Sequence, residues 1–118
     1  MVKILLEREE VNPDKPGIYG WTPLSYAAES GHERVVKILL EREEVNPDKP
    51  DTDGWTPLTY AASCGHEGVV KILLEREEVN SDNPDHWGQT PLSCATNNGH
   101  ESVAALLRSR KAAIPSTI

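Results

Sequence analysis

Apolar and polar positions along this chain follow a pattern that returns at a fixed interval. The segment VKILLEREEVN stands at Val2 to Asn12, at Val36 to Asn46 and at Val70 to Asn80. Aligning Gly17 to Pro50 with Asp51 to Pro84 gives 25 identities in 34 positions, and a third copy from Asp85 keeps GxTPL, GHE and LL. Self-similarity at a fixed period of about 20 to 50 residues marks a repeat architecture. Within one copy, Thr22-Pro23, Thr56-Pro57 and Thr90-Pro91 each predict a helix start. Thr caps free amide groups there, and Pro is harmless at the first helical position. This first helix runs through Leu24 to Ser30 and stops at Gly31, a position repeated by Gly65 and Gly99, where glycine can take the left-handed conformation that closes a helix. From His32 the apolar residues Val35, Val36, Ile38, Leu39 and Leu40 fit one face of a second helix, and Glu33 stands four residues before Lys37 as a surface pair. Pro47 and Pro50 then end the helix in a long polar loop that reaches Gly54.

Two short helices and a loop cannot bury their own aliphatic faces, so stacking of neighbouring copies must do it. The pairs Ala27-Ala28 and Ala61-Ala62 suit such a stack, because larger side chains there would overpack adjacent layers. The expected fold is all-α, a helical solenoid of helix, turn, helix and extended finger. Its expected divisions are 1–16, a second helix and loop without a first helix; 17–50 and 51–84, two full copies; and 85–118, a divergent copy that caps the array. Leu40 and Leu74 become Arg108 in that last copy, which with Arg110 and Lys111 predicts a charged terminal face. At the other end, the expectation is a piece of a longer array with Ile4 and Leu5 partly exposed. Self-association through that uncapped face follows from it.

The stretches GWTPLSYAAESGHERVVKILL and GWTPLTYAASCGHEGVVKILL resemble the ankyrin repeat, and the resemblance covers nearly the whole chain. It combines TPL at a helix start, AA one turn later, GH between the helices, an LL pair and VN before the loop. Loops of the VNPDKPD kind with TPLS are similar to those of large fungal multidomain proteins, some with a NACHT module. Two departures stand out. Ser25, Thr59 and Ser93 replace the family's histidine, so its hydrogen bonds must be rebuilt from hydroxyls or water. The repeat is also slightly longer than the family's, with a longer loop and no glycine in the EREEVN turn. The resemblance implies a non-enzymatic module that binds another protein through a concave surface of finger tips and first helices. By matching positions, that surface comprises Ile18, Tyr19, Trp21 and Glu29; Thr52, Asp53, Trp55 and Ser63; and His86, Trp87, Gln89 and Asn97. Two readings of the tryptophans stay open: contact residues for the partner, or indoles packed on the neighbouring loop's prolines. The alternative for the whole chain is a structural spacer or self-associating stack within a larger protein.

Composition narrows the function classes. The 118 residues carry 12 Lys and Arg against 19 Asp and Glu, a net charge of -7, which disfavours nucleic acid and anionic membranes as partners. No stretch approaches the roughly 18 apolar residues of a membrane span. Two cysteines make no disulfide framework and favour a reducing, cytoplasmic location. His32, His66 and His100 recur one period apart in the same turn, which reads as structure and not as a metal ladder, because stacked layers hold equivalent residues too far apart to share an ion. Cys64 and Cys94 occupy non-equivalent positions with no catalytic partners, and the EREE runs read as a solvated acidic stripe. Phosphate loops, nucleophile elbows and zinc-helix motifs are absent, so neither cofactor nor metal is expected.

Overall fold

A computed structural model describes the backbone of residues 20–113 and the side chains through Arg110. Among the described residues there are six helices and no strand: α1 (Pro23–Ser30), α2 (Glu33–Leu40), α3 (Pro57–Cys64), α4 (Glu67–Leu74), α5 (Pro91–Asn97) and α6 (Glu101–Ala113). First and second helices alternate, each recurring once per copy. α1 packs on α3 and α3 on α5 in one layer, while α2 packs on α4 and α4 on α6 in the other. This is the all-α solenoid that the pattern predicts. The N-terminal partial copy and its Ile4 and Leu5 lie outside the described residues.

Each first helix starts as the Thr-Pro signal dictates. Thr22, Thr56 and Thr90 are extended N-caps whose side chains accept from the backbone N–H of Ser25, Thr59 and Ser93. In the second and third copies the hydroxyl at that third helical position also accepts from the threonine's own N–H, at 3.2 Å for Thr59 and 2.8 Å for Ser93. A reciprocal capping box therefore takes over the place of the family's histidine. The core between layers is made of Leu24, Leu39, Leu58, Leu73, Val36, Val69 and Val103, all essentially buried, with the alanine pairs fully enclosed where first helices meet.

The Gly-His turn is the joint between copies. Gly31 and Gly65 close α1 and α3 in the left-handed region, at φ 78° and 76°. Over each lies the imidazole of the next copy: a Cβ built on Gly31 would stand 2.9 Å from His66, and one on Gly65 would stand 2.6 Å from His100 Nδ1. The His66 ring nitrogen Nε2 also hydrogen-bonds the Glu29 carbonyl oxygen at 2.9 Å, at the C-terminal end of α1. Repeating histidine thus serves to join layers. Gly99 has the same positive φ, with nothing among the described residues within 4 Å of its Cβ position, which separates the two effects. Gly99→Ala is expected to lose about 1 kcal/mol from backbone strain alone, and Gly65→Ala about 2 kcal/mol because the His100 ring must also move. Urea unfolding of both variants measures the difference.

Candidate functional site

The face formed by the fingers and first helices is built on two buried carboxylates. Asp51 and Asp85, one period apart, are each only 6% exposed. Asp51 Oδ1 accepts from the backbone N–H of Asp53 and Trp55, and Asp85 Oδ1 accepts from those of Trp87 and Gln89, all at 2.8–2.9 Å. The return bonds Asp51 N–H to Trp55 O and Asp85 N–H to Gln89 O close each fingertip. Neighbouring fingers are then tied by His86 N–H donating to Asp53 O at 3.0 Å. The second oxygen of each carboxylate holds an aromatic group: the Tyr60 hydroxyl donates to Asp51 Oδ2, and the Trp55 indole N–H donates to Asp85 Oδ2 at 2.9 Å.

These anchors support a ladder of rings. Trp21 lies 4.7 Å from Tyr26 and 4.4 Å from Tyr60, and Tyr60 lies 4.9 Å from Trp55, each pair tilted by 42–57°. Such geometry is favourable for aromatic pairs. The two indoles are therefore half-buried rungs packed on tyrosines. Burial, the hydrogen bond to Asp51 and the charges of Asp51, Asp53 and Glu29 push the Tyr60 hydroxyl far above its ordinary pKa. It stays a neutral donor.

The remaining predicted positions divide by exposure. Glu29, Thr52, Asp53, His86, Gln89 and Asn97 are exposed, and Ser63 is half-buried. The Ser63 carbonyl oxygen and Oγ both accept from Asn98 Nδ2 at 2.9 Å. Trp87 is 68% exposed at the third fingertip, with only His86 as a ring neighbour at 6.5 Å among the described residues. Ile18 and Tyr19 lie outside the described residues. Tyr26, Tyr60, Asp51 and Asp85 are not among the predicted positions. The tyrosines are recognisable from their equivalent places in successive copies, whereas the aspartates are masked by Gly17, which stands at their position in the first full copy.

Two clefts open in this region, one between the second and third copies and one among the loops of all three. One, of about 260 Å³, lies on the first-helix side and is lined by Trp55, Ser63, Gln89, Cys94, Asn97 and Asn98. The other, of about 380 Å³, lies between the loops and is lined by Asp48, Pro50, Gly54, Thr56, Asn83, Pro84 and His86. Asp48 Oδ2 accepts from Asn80 N–H at 2.9 Å, while its Oδ1 is buried with no partner among the described residues. Burial raises the Asp48 carboxyl and Glu78 adds to the effect, against the Asn80 hydrogen bond and Arg110. The folded chain thus holds this proton more tightly than the unfolded chain, so the stability from Asp48 is full below the unfolded pKa and is lost as pH rises through the folded one. Asp48→Asn keeps an acceptor for Asn80 and removes the charge. It is expected to raise Tm at neutral pH and leave it unchanged in acid, as thermal melts followed by circular dichroism at several pH values will register. Asp85 runs the other way. Burial opposes its charge, but hydrogen bonds from Gln89, Trp87 and the Trp55 indole, with His86 nearby, hold its pKa below the ordinary value.

Among the described residues nothing resembles an activated nucleophile. Burial, then the charge of Glu29 or Asp85, raises the Cys64 and Cys94 thiols above the usual range, away from thiolate reactivity. Among the same residues no group of three His, Cys, Asp or Glu converges as metal ligands, and no helix is long and apolar enough to cross a membrane.

The family profile described as ankyrin repeats, three copies, matches residues 1–51 and 43–117. The chain belongs to the ankyrin-repeat family. Ankyrin repeats are generally protein–protein interaction modules and are typically non-enzymatic. No curated protein matches the chain. Within this ankyrin array, capping boxes, Gly-His joints and aspartate-pinned fingers give a rigid backbone on which the exposed positions vary from copy to copy.

Proposed function

We propose that this ankyrin array binds a partner protein through the surface made by its finger tips and first helices. The observation that carries the reading is Trp87. A fingertip held by two hydrogen bonds to the buried Asp85 carboxylate keeps its indole in water, beside the exposed His86. A large aromatic side chain on an ordered loop is the kind of group that anchors an interface, where truncation costs about 2 kcal/mol or more. Asp53 and Thr52 of the adjacent finger extend the same surface.

Trp21 and Trp55 are also rungs of the ring ladder, so they are poor probes of binding. Replacing them would break the ring ladder and confound stability with affinity. The informative variant is Trp87→Ala, whose fold should be unaffected. Affinity capture from source-cell lysate with mass spectrometry, comparing the parent with this variant, tests the reading. A protein retained by the parent and lost by the variant supports it. Equal capture removes Trp87 from the interface, and capture of the chain itself alone favours a self-associating stack.

A further inference from the structure

The ring ladder stops one rung short. Tyr26, Tyr60 and Cys94 occupy equivalent positions in successive copies, as do Trp21, Trp55 and Gln89. Tyr60 fills the space between Trp21 and Trp55. One copy later, Cys94 and Gln89 supply no ring, and the cleft of about 260 Å³ opens at that place against Trp55. Its floor is Cys94, buried and bonded weakly to Gln89 Oε1 at 3.6 Å. Asn97 and Asn98, at the end of α5, and Ser63 of α3 complete the walls.

We propose that this open rung receives an arginine side chain from a basic segment of the partner protein, which stacks its guanidinium on Trp55. The inference rests on the binding reading above and names the chemistry of the ligand. Three features select arginine. A planar cation can take the stacking place of the missing ring. The walls present oxygen acceptors, with Gln89 Oε1 accepting from a thiol and the Asn97 amide exposed, and a guanidinium carries five N–H donors to meet them where an aromatic ring would cover them without donating. The surrounding charge is negative. The Asp85 carboxylate is bonded to both Trp55 and Gln89, and its charge reaches Cys94; Glu29 and Asp53 bear on Tyr60 one rung away. A net charge of -7 on the chain extends that preference to the neighbouring residues of the segment.

The test is selection of a random peptide library, displayed on phage, against the whole chain. Selected peptides are expected to share an arginine. Replacing it by citrulline, which keeps the shape and removes the charge, should weaken binding about tenfold or more. Cys94→Tyr rebuilds the rung on the pattern of Tyr60 and should weaken the same peptides to a similar extent. Asn97→Lys, on the exposed rim, is the second variant should the tyrosine disturb folding, and it should act in the same direction by repulsion. Peptides without a shared arginine, or peptides indifferent to citrulline and to the filled rung, overturn the proposal. Peptides lost with Trp87→Ala and unaffected by Cys94→Tyr overturn the rung while leaving the broader binding surface standing. An empty selection overturns the rung, and the lysate capture then decides the broader reading by itself.

Discussion

Arg110→Ala is expected to destabilise the chain by about 3 kcal/mol and to lower Tm by roughly 10 °C, although the residue is a surface arginine by sequence. Its guanidinium reaches back one copy. Nη1 donates to Leu74 O at 3.1 Å, and Nη2 donates to Val79 O at 2.8 Å and more weakly to Arg76 O and Glu77 O at 3.4 Å. Leu74 O is the last carbonyl of α4, where a cation also suits the helix dipole, and the other three oxygens belong to the loop that follows. Alanine would leave these oxygens to find water in a partly closed space. Arg76 makes the same reach to Leu40 O at 2.6 Å, so the contact belongs to the repeat. Differential scanning calorimetry of Arg110→Ala beside Arg108→Ala decides the matter: Arg108 is exposed on the same helix and should change stability by no more than about 0.5 kcal/mol. Equal effects from the two would remove the staple.

Leu58→Ala should cost about as much, roughly 3 kcal/mol, for a different reason. Leu58 is fully buried in α3, the first helix that packs against both α1 and α5. Removing its branched end leaves a cavity that rigid flanking layers cannot close, and deletions of this kind cost about 2–5 kcal/mol. The middle copy is coupled to a neighbour on each side, so the loss should appear as a lower urea midpoint for the whole transition. A second, separate transition would mean that the outer copies hold without the middle one.

The fold is legible in the sequence because its signals are local and repeated. Thr-Pro at Thr22, Thr56 and Thr90, the closing glycines and the apolar face of each second helix specify elements within a few residues, and the constant register between copies does the rest. What escapes sequence reading is what joins one copy to the next. Charge patterning places the arginines of the EREE runs in a solvated stripe, since it does not register the backbone carbonyls that one of them, Arg76, reaches. Arg42 and Arg76 do pair with Glu44 and Glu78, at 3.2 and 2.8 Å, as such a stripe suggests, but those exposed pairs contribute little. The predicted Glu33 and Lys37 surface pair has its counterpart in Glu67 and Lys71, at 3.6 Å. Asp51 and Asp85 stand in the sequence as varied loop positions, and their role as fingertip anchors emerges only when the loop has folded back on them.

On the candidate surface the sequence speaks more clearly about exposure than about role. Trp21 and Trp55 share the motif slot before TPL, and that repetition already suits a part of the frame. Trp87, displaced by two residues in its own copy, is the indole left in water. Hydroxyls at Ser25, Thr59 and Ser93 suffice where a histidine is the family's choice, because a side chain at the third helical position needs only to reach the cap three residues behind it.

The cross-copy bonds described above join residues 30 to 37 positions apart, from Trp55 and Asp85 to Glu29 and His66. Each of these bonds runs from one copy to the next, so the rod is extensible: a duplicate of the middle copy inserted after Pro84 would bring the recurring joints with it, such as the His66 and Arg76 contacts. Such an insertion carries a tyrosine, as Tyr60 does, into the place now left open. The gap in the ring ladder would travel outward with the last copy, and gene duplication alone could reposition it along the surface without altering any contact that surrounds it.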